Sequence, residues 1–160
     1  MEPLWLTEAR RHIGTREIKG PAHEPKIVAW WKAIKRGGIK DDETPWCAAF
    51  VGGCLEAVGL MSSRYESAKS YLTWGQPLGS AVVGAVAVFD RAGGGHVGFV
   101  VGNDPAGRLM ILGGNQGDAV NVRAFTRDRL IAFRWPQAVP IPRTMPLPVL
   151  SGEEVSTNEA

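Results

Sequence analysis

At 160 residues, with 44% hydrophobic content and six tryptophans, the chain has the length of one domain and enough apolar surface for a core. Its 18 basic and 16 acidic side chains leave a net charge of only +2, scattered along the sequence, which argues against nucleic-acid binding and suits an anionic polymer only weakly. No run approaches the roughly 18 consecutive apolar residues of a membrane span, and Met1 to Glu8 lacks the basic start and apolar stretch of a secretory signal, so a cytoplasmic product without stable membrane insertion is expected.

Pro3 to Ile13 reads as a packing helix stopped by Gly14, and residues 15 to 24 as a loop. A second helix is expected from Pro25 to Lys35, with Ile27, Trp30, Trp31 and Ile34 at helical spacing before Gly37 and Gly38. Thr44 can cap a third helix that begins at Pro45 and ends at Val58, closed by Gly59. Gly52 and Gly53 in its middle cost about 1 kcal/mol each against alanine, which suggests another element packed closely across it, the sheet being the natural choice. Ser67 to Trp74 reads as one more short helix.

After Gly84 the period changes. Ala85–Phe89, His96–Val101, Arg108–Leu112, Ala119–Phe125 and Ile131–Trp135 read as strands joined by glycine-rich and Asn/Asp/Pro turns, the connections of an antiparallel sheet. Five prolines between Pro136 and Pro148, then the polar end Ser151 to Ala160, predict an extended, disordered tail. The expectation is an α+β domain over residues 1–136 and a tail over 137–160.

Cys47 and Cys54 lie seven apart on one predicted helix, about 10 Å between Cα atoms, so they cannot form a disulfide with each other. Cys47 falls in the first turn, where the helix dipole and unpaired N–H groups favour the thiolate, whereas Cys54 sits two turns further in among apolar neighbours. The alternative for Cys47 is a buried structural thiol. Of the three histidines, His12 ends an amphipathic helix and His23 lies in a loop, while His96 follows Gly93-Gly94-Gly95 and begins a strong strand. A strand edge holds an imidazole rigidly near a neighbouring helix, and Gly98, on the same face, would keep that face clear. Asn115, at the end of the next strand, is placed to orient the ring, with Gln116 and Asp118 as competitors and an ordinary turn residue as the alternative. Trp46, Asp42, Glu43 and Gln116 could line the groove, and the two carboxylates could read a substrate amino group. Neither H-E-x-x-H nor paired C-x-x-C occurs, so no metal or other cofactor is expected.

The strings Asp42-Glu43-Thr44-Pro45-Trp46-Cys47-Ala48-Ala49-Phe50-Val51, Gly95-His96-Val97-Gly98-Phe99 and Leu112-Gly113-Gly114-Asn115-Gln116 resemble the cysteine, histidine-dependent amidohydrolase/peptidase (CHAP) domains and, more broadly, the NlpC-type cell-wall hydrolases. The resemblance spans about residues 3 to 136. It implies a papain-like core with N-terminal helices packed on an antiparallel sheet, and it carries the nucleophile, base and orienter onto Cys47, His96 and Asn115. Many members have a glutamate just before the orienter, where this chain has Gly113-Gly114. The family further implies peptidoglycan as substrate and, often, a phage endolysin or prophage lysis protein released through a holin into the periplasm or wall. A secreted antibacterial amidase effector and a non-catalytic wall-binding or virion protein on the same fold are the alternatives.

Overall fold

The computed structural model describes residues 2–151 and 155–156. Three α-helices come first: α1 (Leu4–Arg10), α2 (Pro25–Ala33) and α3 (Cys47–Ala57). Pro25 opens α2, where a missing N–H costs nothing, and Glu24 caps it by accepting from Lys26 N at 3.3 Å. Helix α3 begins two residues later than the sequence suggested. Asp41 Oδ1 accepts from the backbone N–H groups of Glu43 and Thr44, at 3.0 and 2.7 Å, so this stretch is a turn around Asp41 and Trp46 becomes the N-cap.

Cys47 to Leu55 are all buried, which makes α3 the central helix. Its two glycines are explained by α2 and not by the sheet. A Cβ on Gly53 would lie 2.5 Å from Trp30 Cδ1, and one on Gly52 would collide with Ile34 Cγ2. Aromatic packing carries the core onward: Trp30 stacks on Trp46 at 5.8 Å, meets Phe50 edge-on at 5.2 Å, and Phe50 meets Phe99 of the sheet at 6.2 Å.

A 3-10 helix, Ala68–Thr73, precedes the strands, with Ser67 as its side-chain cap. The strands are β1 (Gln76–Leu78), β2 (Val86–Arg91), β3 (Gly94–Asn103), β4 (Leu109–Gly113), β5 (Asn121–Phe125), β6 (Leu130–Trp135) and β7 (Val155–Ser156). They form a sheet ordered β1-β6-β2-β3-β4-β5-β7, antiparallel except that β7 pairs with β5 in parallel. The glycine run before His96 is no loose loop. Gly94 and Gly95 pair with Arg91 and Asp90 in the β2–β3 hairpin, and only Gly93, at φ 79°, makes the turn. The domain is thus α+β with a papain-like core of helices on an antiparallel sheet.

After Trp135 the prolyl segment turns, with Val139 N donating to Pro136 O at 3.2 Å, and Val139, Leu147 and Leu150 pack on the core while Leu150 N donates to Asn103 O at 2.6 Å. The expected tail also includes residues 152–154 and 157–160, which lie outside the described residues. No helix among the described residues is long and apolar enough to cross a membrane.

Candidate active site

Cys47 is the first residue of α3 and only 6% exposed. Its sulfur lies against the backbone N–H of Val97, the residue after His96, and against those of Ala48 and Cys47 itself. These donors and the Arg91 cation favour the thiolate, as expected for a helix start, but burial outweighs them and raises the thiol's pKa. Burial thus favours the thiol, against the pull of the helix start toward the thiolate. Cys54 is fully buried, and burial pushes its pKa much higher.

His96 is fully buried, stacked on Phe125 at 5.2 Å with ring planes 8° apart and tilted against Phe89 at 6.4 Å. Burial, opposed by its bond to Gln116 and reinforced by the Arg91 and Arg129 cations, lowers its pKa to about 4. The imidazole is neutral at physiological pH. Its Nε2 is 3.0 Å from Gln116 Oε1, and its Nδ1 is buried without a hydrogen bond among the described residues.

The atom identities in this contact follow from its surroundings. Gln116 Nε2 faces only acceptors, namely Asn121 Oδ1 at 2.9 Å, Asn121 O at 3.0 Å and Ile111 O at 3.3 Å. The amide oxygen therefore points at His96, and His96 must donate from Nε2–H. The proton is on Nε2, and Nδ1 carries a lone pair, as a base requires.

The residue on the imidazole is thus Gln116, not Asn115. Asn115 is the left-handed residue at φ 60° that turns the chain after β4, a conformation asparagine tolerates. The turn folds the next side chain back over Gly113, where even a Cβ would overlap Gln116 Oε1 and would stand 3.3 Å from His96 Nε2. A glycine at 113 makes room for a glutamine at 116. Asp118 lies beyond, also at positive φ, with its carbonyl accepting from Glu17 N.

The expected groove residues fare differently. Asp42 is fully buried and its carboxylate accepts from Ile18 N at 2.7 Å, Glu24 N at 3.0 Å and His23 Nδ1 at 3.0 Å. It pins the loop before α2 and has no face left for a substrate amine. Trp46 is fully buried, presses on Gly114 and donates its indole N–H to Glu17 Oε1 at 2.7 Å. Gln116 spends its amide inside the protein, so it too is no groove residue, whereas Glu43 is exposed. Gly98 is likewise filled, since a Cβ there would lie 2.5 Å from Ile111 Cγ2.

Sequence reasoning missed Glu17 and Asn121. Glu17 is half-buried beside Trp46, and burial raises its pKa against the Trp46 hydrogen bond. It arrives there because the 14–17 segment pairs with residues 118–120: Gly14 N donates to Val120 O, Val120 N to Thr15 O and Glu17 N to Asp118 O. That pairing spans about a hundred residues and leaves no local signal. A cavity of about 700 Å³ lies elsewhere, between the start of α1, the end of α3 and the prolyl segment. Its walls are mostly aliphatic and carry no nucleophile.

Residues 39–115 match the family model of the CHAP domain. This part of the chain is similar to CHAP domains. The match takes in the turn around Asp41, α3, β1 to β4 and both Cys47 and His96, and it stops one residue short of Gln116. CHAP domains are usually cysteine- and histidine-dependent amidohydrolases of peptidoglycan, and the family points this chain to that class of activity. No curated protein matches the chain.

Proposed function

We propose that the protein hydrolyses amide bonds in the peptide part of peptidoglycan, with Cys47 as nucleophile, His96 as base and Gln116 as the residue that orients the imidazole. The observation that carries this reading is the bare Nδ1 of a buried His96, one residue from the N–H that meets the Cys47 sulfur. Because thiol and imidazole are both neutral at rest, the proton moves as the bond forms. The Cys47 sulfur attacks the carbonyl carbon, its proton passes to His96 Nδ1, and the carbonyl oxygen takes the negative charge, stabilised by backbone N–H groups at the start of α3. Collapse breaks the C–N bond, His96 returns the proton to the leaving amine, and a thioester remains. Water, deprotonated by His96, then releases the acid and restores the thiol.

A phage or prophage lysis protein, reaching the wall through a holin, is the biological setting we propose, on the strength of where CHAP domains often occur. The preference for a peptide bond now rests on the exposed Glu43 and on Glu17, since Asp42 is sequestered.

Digestion of purified murein tests the chemistry. Fresh amino groups should appear without new reducing sugars, because a thiol paired with an imidazole attacks acyl carbons and leaves glycosidic bonds alone. Cys47→Ala should abolish turnover with an unchanged circular dichroism spectrum, and Cys54→Ala should keep most of it. Reducing ends that rise with turbidity loss and persist in Cys47→Ala would overturn the proposal.

A further inference from the structure

Asn121, the first residue of β5, holds Gln116 at both ends. Its Nδ2 donates to the Gln116 backbone carbonyl at 2.8 Å, and its Oδ1 accepts from the Gln116 side-chain Nε2 at 2.9 Å. Its own backbone carbonyl accepts from the same Nε2 at 3.0 Å, with Ile111 O on the far side at 3.3 Å. The two Asn121 side-chain atoms are fixed by their partners, since a flipped amide would set oxygen against the Gln116 carbonyl and N–H against N–H. Between residues 116 and 121 the chain turns through Gly117 and Asp118, both at positive φ, and Gln116 N donates to Ala119 O at 3.0 Å. The loop is thus tied to β5 through one side chain.

We propose that Asn121 is a positioning residue of this active site, which holds the Gln116 amide with its oxygen on His96 so that the imidazole keeps its proton on Nε2 and presents a bare Nδ1. Neither residue falls within the CHAP family match, which ends at Asn115. The role rests on His96 being the base, and it is more demanding than a hydrogen bond to the ring. Around Gln116 Nε2 the site offers three oxygens and no donor, so it accepts an amide at position 116 and rejects a carboxylate. A negative group there would meet three acceptors, although a carboxylate is ordinarily the stronger partner for an imidazole.

Two variants test this, with a readout that needs no substrate. In protein labelled with ¹⁵N in the imidazole rings, wild-type His96 should show the Nε2–H tautomer at pH 7. Asn121→Ala should introduce the Nδ1–H form and lower kcat on murein about tenfold or more, with KM little changed, because the wrong tautomer removes the base without touching the groove. Gln116→Glu should work only while its new carboxyl is protonated, so its activity should fall as pH rises through a range in which the wild type keeps its rate. An unchanged tautomer and kcat in Asn121→Ala would overturn the proposal. Should that variant fail to fold, a Gln116→Glu enzyme with the wild-type pH profile would overturn it instead. A wild-type protein inert on murein, yet carrying an Nε2–H imidazole that Asn121→Ala disturbs, would refute the proposed function and leave the positioning role standing.

Discussion

A difference of one residue decides which polar side chain meets His96. Asn115 and Gln116 follow the same strand, and both types are common in turns, so composition could not separate them. The separation comes from the left-handed backbone at Asn115 and from the empty volume over Gly113. Asn115→Gly should therefore keep near wild-type activity, because glycine enters the left-handed region without strain. Gln116→Ala should lose about a hundredfold in kcat/KM, since a freed imidazole samples the wrong tautomer. Parallel turnover assays of the two proteins on murein check this; the reverse ranking would return the orienting role to Asn115. The places of Cys47 and His96 in the fold were legible from the sequence because each stands beside a local signal, a helix start and a strand start. Asp42 was misjudged because nothing local reveals that Ile18, His23 and Glu24 converge on it.

At the scale of elements, glycines mark close approaches. Those in α3 admit Trp30 and Ile34, and Gly98 in β3 admits Ile111 from β4. A Gly98→Ala substitution puts its methyl 2.5 Å from Ile111 Cγ2 and 3.2 Å from Leu112 O. It should cost about 1–3 kcal/mol of stability in denaturant titration, as overpacked cores do. Adding Ile111→Val should recover part of that cost, a coupling expected only for residues in contact. The long strands and all three helices were readable because their hydrophobic periods are long enough to count. Strands β1 and β7 were not, being three and two residues long and defined only by their neighbours. The start of α3 was misplaced because Thr44 suits a cap, while Asp41 supplies the competing turn.

For the whole molecule, the buried neutral histidine sets a pH dependence. An unfolded chain binds a proton at His96 near its ordinary value of 6.5, whereas the folded protein resists until about 4. Between these values the unfolded state holds more protons, so stability falls as pH is lowered through the window, by about 3 kcal/mol in total, and this term is fully present above 6.5. His23 acts in the opposite sense and in another window. Its hydrogen bond to Asp42 raises its pKa, so its contribution is complete below 6.5 and fades at higher pH. Urea unfolding from pH 7 down to 4 should show the loss, and His96→Gln should flatten it. An equally steep fall in that variant would place the effect elsewhere.

The pairing of β7 with β5 bears on how molecules of this protein meet one another. Without it, β5 would end the sheet with a row of backbone donors and acceptors open to any extended chain, the usual starting point for edge-to-edge association. At Ala124 and Phe125 the protein lays its own later segment along that row, in parallel, where a second copy would otherwise add a strand. Phe125 is also the ring that stacks on His96, so the strand that this short pairing covers is the one that supports the imidazole.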